Sequence, residues 1–229
     1  MSGSILKLIA CLAMLLDHIA AFLPGDYLYM NETLFMAGDK TITLRMLFHY
    51  IGRTAFPLFA FLITEGFIHT GNRKRYAINL LLFALISEIP WNLVRCGELI
   101  YHRQNVFFTL FLGYAGLCAI DSFRESISKT GLSLLGLLVA SILLKADYGC
   151  FGYGFIILLY MLREKKVIMG IVGACVLPSR WIGGMAFIPI LMYNGKRGFA
   201  KSNWVKYAFY AFYPVHLIVI YIIRTFLMH

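Results

Sequence analysis

The chain has 229 residues, 60% of them hydrophobic and 14% charged, with a net charge of +10 and a mean hydropathy of +0.76. Soluble domains usually run at about 45–50% apolar and about 25% charged, so the composition excludes an ordinary soluble fold and points to a membrane protein. The positive charge, which in a soluble chain would suggest nucleic acid, lies mostly in short loops between apolar runs. It is read here as membrane topology and contact with anionic lipid, with no nucleic-acid partner.

A spanning helix needs about 20 apolar residues. Six runs qualify or nearly so: Ile5–Leu23, Leu44–Ile68, Tyr76–Val94, Val106–Ile120, Leu132–Leu144 and Tyr207–Leu227. Three shorter runs, Phe151–Leu162, Val167–Leu177 and Trp181–Met192, read as short spans, tilted pairs or re-entrant pieces lining a cavity. The expected architecture is all-α, a polytopic transmembrane helical bundle of about nine membrane segments forming one domain over 1–229. The first run carries Lys7 near its start, but Asp17-His18 interrupts it and no small-residue cleavage site follows, so it reads as a retained helix. Cys11, Cys96, Cys118, Cys150 and Cys175 form no CxxC pair, and neither a disulfide framework nor a metal site is expected.

Basic loop residues set orientation. With the N-terminus cytoplasmic and nine crossings, the inside holds twelve: Arg73-Lys74-Arg75, Arg124, Lys129, Arg163, Lys165-Lys166, Lys196-Arg197, Lys201 and Lys206. The outside holds seven: Lys40, Arg45, Arg95, Arg103, Lys145, Arg180 and Arg224. The loop from Pro24 to Thr43, with Asp26, Glu32 and Asp39, is then outer. The expected location is the bacterial cytoplasmic membrane, N-terminus inside.

The chemistry lies in ionisable residues within apolar runs, which cost about 3 kcal/mol each on insertion scales. At 1.5 Å per residue, His18 lies roughly 20 Å along the first run and Arg53 roughly 13 Å into the second from the other face. Glu88 lies roughly 18 Å and His216 roughly 14 Å along theirs. Four helices thus bring ionisable groups to one middle-to-outer slab. On the first helix Lys7, Cys11, Met14, His18 and Ala21 share a stripe. Asp17, one residue from His18, points roughly 100° away and reads as a partner for Arg53. Each residue also has a plainer reading as interhelical glue, and Glu65 lies near enough to the cytoplasmic end to snorkel. Pro57 and Pro90, close to Arg53 and Glu88, each remove a helical hydrogen bond and free a carbonyl. The glycine-rich segment Asp147–Gly154 reads either as a tight outer loop or as backbone approaching a ligand. The clusters Arg73-Lys74-Arg75 and Lys196-Arg197 read either as topology and lipid contacts or as a site for a phosphate-rich cosubstrate.

The stretches "LKLIACLAMLLDHIA", "IGRTAFPLFAFLITEGF", "NRKRYAINLLLFALISEIPWNL", "QNVFFTLFLG", "DYGCFGYG", "YNGKRG" and "FYAFYPVHLIVIY" resemble, in order and over nearly the whole chain, the TraX family, named for a conjugative pilin acetylase. That family is in turn similar to acyltransferase-3-type membrane acyltransferases and to the lysosomal heparan N-acetyltransferase. The resemblance implies transfer of acetyl from cytosolic acetyl-CoA, as cosubstrate and without a metal, to an acceptor across the membrane, with a membrane histidine near the start of the domain. It puts His18 in that role.

Residue chemistry and resemblance together suggest direct transfer. His18 removes a proton from an acceptor amine or hydroxyl, a peptide N-terminus being one such acceptor. Arg53 pairs with Asp17 or stabilises the oxyanion, and Asp17 and Glu88 complete the catalytic set. Glu65, Tyr148, His216 and Asn105 are candidates for substrate binding. Arg73, Lys74, Arg75, Lys196 and Arg197 are candidates for the donor phosphates. Two other classes fit midplane charges and broken helices: a proton-coupled small-molecule transporter, and an assembly protein whose charges pair with partner helices.

Overall fold

The computed structural model describes residues 1–25, 29–178, 181–200 and 202–228; Asp26, Arg180 and Lys201 lie outside the described residues. The chain begins with α1 (Gly3–Phe22) and then a hairpin of β1 (Thr33–Ala37) and β2 (Lys40–Thr43). Helices α2 (Leu44–Gly52), α3 (Ala55–His69), α4 (Arg73–Cys96), α5 (Val106–Ser122), α6 (Ile127–Leu143) and α7 (Gly149–Leu162) follow. The chain ends with α8 (Lys166–Val176), α9 (Trp181–Gly184), α10 (Phe187–Leu191) and α11 (Asn203–Leu227). Four of these stretches are long and apolar enough to cross a membrane: Gly3–Phe22, Leu44–His69, Arg73–Cys96 and Asn203–Leu227. Five shorter apolar helices accompany them among the described residues. This is an all-α integral membrane bundle.

Polar caps fix the helix starts where the sequence offers them. Thr43, Asn72, Asn105, Ser126 and Ser202 each accept a backbone N–H from the first turn of the helix they precede. α4 stops at Gly97, whose φ of +78° is left-handed. Two arginines occupy helix ends. Arg45 donates to the carbonyls of Ala20 at 2.6 Å and Leu23 at 3.0 Å, and Arg224 donates to Val94 O at 2.9 Å. These carbonyls lie in the last turns of α1 and α4 or just beyond, where no intrahelical donor reaches.

Two features depart from the sequence reading. The apolar run Leu44–Ile68 is not one helix: it breaks at Arg53-Thr54 between α2 and α3. Pro57 lies in the first turn of α3, where a missing N–H costs little. Thr54 turns its hydroxyl back onto Ile51 O at 2.7 Å. Gly52 seats this corner on α1, since a Cβ there would fall 2.3 Å from Asp17 Cβ. The loop between α1 and α2, in turn, contains the β1–β2 hairpin, closed at Gly38-Asp39 with Gly38 at φ +63°.

α3 is the most buried helix, enclosed by α1, α5 and α7, while α11 packs on α1 and α4. The lipid-facing side of α4 carries Ile78, Leu82, Leu85 and Ile89 at helical spacing, all exposed, whereas Asn79, Ser87 and Asn92 point inward. Polar residues inside and apolar residues outside are what a bilayer requires. α8 and α10 run antiparallel, with Gly170 against Leu191 and Gly173 against Phe187. The N-terminus is clasped to the segment before α11: Gly3 N–H donates to Lys196 O, Ser4 N–H to Arg197 O, and Ser4 Oγ to Arg197 O. The starts of α1, α4 and α11 therefore lie at one end of the bundle.

Candidate active site

The halves of α1, α4 and α11 that lie away from the N-terminal clasp meet around His18. Its Nδ1 is 2.7 Å from His216 Nε2, and the two rings stack with centroids 5.0 Å apart and planes within 9°. His216 Nδ1 lies 2.7 Å from Phe212 O, one turn back along α11. A carbonyl oxygen only accepts, so His216 Nδ1 carries hydrogen and its Nε2 is the acceptor. His18 Nδ1 must then donate to it. The remaining nitrogen, His18 Nε2, is left with a lone pair. The order is thus Phe212 carbonyl, His216, His18, with a free lone pair at the end. Phe22, Trp91 and Tyr213 close around the His18 ring, with centroids at 5.6, 6.4 and 5.9 Å.

Three carboxylates lie on the neighbouring elements, and two of them, Glu88 and Asp147, are within electrostatic reach of Tyr213. Glu88 on α4 accepts from Asn105 N–H at 3.0 Å and from the Asn105 side-chain amide. Asn105 is fully buried, also donates to Ala84 O at 2.8 Å and caps α5 through Phe107 N–H. Glu88 and Asn105 thus lock the α4–α5 corner, and the hydrogen bonds of Glu88 run to Asn105. Asp17 Oδ1 is 2.9 Å from His49 Nδ1, so its ion-pair partner is His49 in place of the expected Arg53. Arg53 is exposed at the α2–α3 break.

Asp147, in the loop between α6 and α7, lies within electrostatic reach of Arg95, Arg103, Asp17 and Arg53. Burial pushes its carboxyl above the ordinary aspartate value of 3.8, with Arg95 and Arg103 opposing. Tyr148 stacks on Phe56 at 3.7 Å, and burial next to Asp147 and Asp17 holds its phenol protonated. Tyr213, 3% exposed, hydrogen-bonds the backbone of Val106 and lies within reach of Asp147, Glu88 and Tyr148. A continuous polar wall therefore runs from Asp17 and His49 through Asp147 and Tyr148 to Tyr213 and the histidines. A cleft of about 380 Å³, lined by Phe22, Pro24, Arg95 and Arg224 among others, opens beside it.

The remaining sequence candidates lie elsewhere. Glu65 faces His69 at 3.3 Å and bonds Tyr193 towards the C-terminal end of α3. Arg73 pairs with Asp121 and covers the Phe67 ring at 4.4 Å, while Lys74 is exposed. Arg75 donates to the Tyr207 hydroxyl at 3.4 Å. Lys196 and Arg197 sit in the N-terminal clasp. On α4, Arg75 and Glu88 are thirteen residues apart, about 20 Å of helix. His49, Trp91 and Tyr213 belong to this cluster and are not singled out by the sequence, which names Asp147 only as the start of the glycine-rich segment. Of these His49 was detectable, being an ionisable residue one turn before Arg53 in the same apolar run.

A family model described as TraX protein matches residues 2–224. The chain is 28% identical over 251 positions to a protein of Dichelobacter nodosus named probable fimbrial assembly protein FimC, serogroup H1, covering 97% of this chain and 95% of that relative. No solved structure matches.

Proposed function

The chain belongs to the TraX family, and from that premise we propose that it is an integral-membrane acyltransferase moving acetyl from cytosolic acetyl-CoA to an amine or hydroxyl acceptor. The observation that carries the proposal is the ordered pair His216–His18, a buried imidazole couple ending in a nitrogen with a free lone pair. Such a pair inside a bilayer is costly unless it is used. The fimbrial-assembly name of the relative supports a pilus-type subunit, with its N-terminal amine, as the acceptor.

In the proposed reaction the acceptor nitrogen attacks the thioester carbonyl carbon while His18 Nε2 takes its proton. The C–S bond of the tetrahedral intermediate then breaks, and the thiolate leaves with the proton returned by His18. His216 holds the His18 ring and shares the charge of the transient imidazolium. Arg53, with Asp17 satisfied by His49, is available to the oxyanion. Asp147, Glu88 and Tyr148 line the acceptor side, with Tyr213 beside them, and Glu88–Asn105 keeps the corner in register. The donor enters from the end that carries Arg75, Lys196 and Arg197, its phosphates remaining there while the long pantetheine arm carries the acyl carbon outward. The bias of basic loops supports a cytoplasmic N-terminus in a bacterial inner membrane.

The test is transfer itself. Label in the acetyl group of acetyl-CoA should pass to a protein of membranes that contain the chain, and not in membranes holding equal amounts of His18→Ala. Counterflow of a solute in donor-free liposomes, with no labelled acceptor, would instead support a transporter.

A further inference from the structure

The inner end of the seam between α1, α4 and α11 holds three cations that the outer site does not use. Lys7 of α1 lies within electrostatic reach of Lys206 and Arg197, and its ammonium sits 5.8 Å from the Phe209 ring centroid. Lys206 lies over the Tyr207 ring at 5.4 Å, and Arg75 of α4 reaches the Tyr207 hydroxyl. Like charges gathered on one seam repel one another, and an anion among them offsets that repulsion. One turn along from Arg75, Asn79 is 6% exposed, and its side-chain amide nitrogen makes no hydrogen bond of ordinary geometry although it neighbours the Tyr207 hydroxyl. A buried donor held this poorly is short of a good acceptor. Arg73, by contrast, is already neutralised by Asp121.

We propose that Lys7, Arg75, Asn79, Lys206 and Tyr207 form a phosphate-ester site at the inner end of this seam. A phosphate offers acceptor oxygens to the Asn79 amide and the Tyr207 hydroxyl, and its charge offsets the cations. The phosphate belongs either to a nucleotide-bearing acyl donor, an assignment that rests on the acyltransferase reading, or to an anionic lipid headgroup. The site lies on the donor side, ten residues below His216 on α11 when counted from Lys206, about 15 Å.

The experiment measures coenzyme A binding by calorimetry to purified protein in zwitterionic nanodiscs, with native mass spectrometry of bound phosphatidylglycerol as a second arm. Lys206→Gln removes a cation, Asn79→Asp replaces the donor with a near-isosteric anion, Lys7→Arg keeps the charge, and Lys129→Gln is a distant control. Folding of each is checked by its melt. Coenzyme A affinity falling about tenfold in Lys206→Gln and in Asn79→Asp, but not in Lys7→Arg or Lys129→Gln, supports a nucleotide phosphate site. If the wild type binds coenzyme A and those two folded variants bind it equally well, the proposal is overturned while the donor reading stands. If the wild type binds none, the donor reading fails and the lipid arm decides. Phosphatidylglycerol retained by wild type and lost in Lys206→Gln and Asn79→Asp supports a headgroup site, and equal retention overturns it.

Discussion

His18 and His216 differ in what they can do, because one carbonyl fixes both tautomers. Phe212 O compels His216 to present an acceptor, and His216 compels His18 to present its own lone pair away from the couple. His18→Ala should therefore lower transfer about 10²–10⁴-fold, the usual worth of a general base, in protein of unchanged melting temperature. His216→Ala should lower turnover about 10–100-fold, as loss of an orienting partner commonly does. His216→Gln, whose amide oxygen can still accept from His18 Nδ1, should recover part of that loss with KM unchanged in both. Equal turnover in the two His216 variants would remove the orienting role. Asp147 makes a prediction in pH. Its carboxyl is raised in the folded chain, so its contribution to stability is full below the ordinary aspartate value of 3.8 and is lost as pH rises through the folded value. Asp147→Asn cannot ionise. It should melt above wild type at neutral pH, and the gap should close on acidification in paired thermal melts.

At the α2–α3 corner, the local sequence hides what the chain does. Residues on both sides of Arg53-Thr54 are apolar enough to continue one helix, and Pro57 is the sequence's one hint of a break. What makes the corner is its seat on α1, where Gly52 lets Asp17 approach and Asp17 meets His49. Gly52→Ala forces a methyl into that contact and should cost about 1–3 kcal/mol, read as a lower melting temperature in detergent. Wild-type stability in that variant would mean that the corner has slack. The long helices were legible because about 20 apolar residues are needed to span a bilayer. The depths of His18, Glu88 and His216 were legible because rise per residue is fixed. Rotation was not: whether His216 faces His18 or lipid depends on how α11 is turned against α1, which packing decides. For the same reason the hydrogen bonds of Glu88 were not readable as Asn105, nor the partner of Asp17 as His49. The β1–β2 hairpin escaped because its two strands are short and β1 is exposed along its length, so no buried alternation announces it.

Across the bundle, two polar regions occupy opposite ends. The clasp between the N-terminus and Lys196-Arg197 gathers basic residues at one end, and the histidines with their carboxylates lie in the half towards the other. A cytoplasmic N-terminus then makes Cys96, exposed as the last residue of α4, reactive to an impermeant maleimide in intact cells. A cysteine introduced at Glu125, in the α5–α6 turn, should react only after permeabilisation; the reverse pattern would invert the topology. The sidedness of the reaction follows. The decisive measurement is acetyl transfer in sealed vesicles of known orientation, with acetyl-CoA supplied to one face at a time. Transfer should occur only when acetyl-CoA meets the face bearing Arg75 and Glu125, and should disappear in His18→Ala vesicles of equal protein content. Transfer from the opposite face alone, or undiminished transfer in His18→Ala, would contradict an acyltransferase built on this histidine pair.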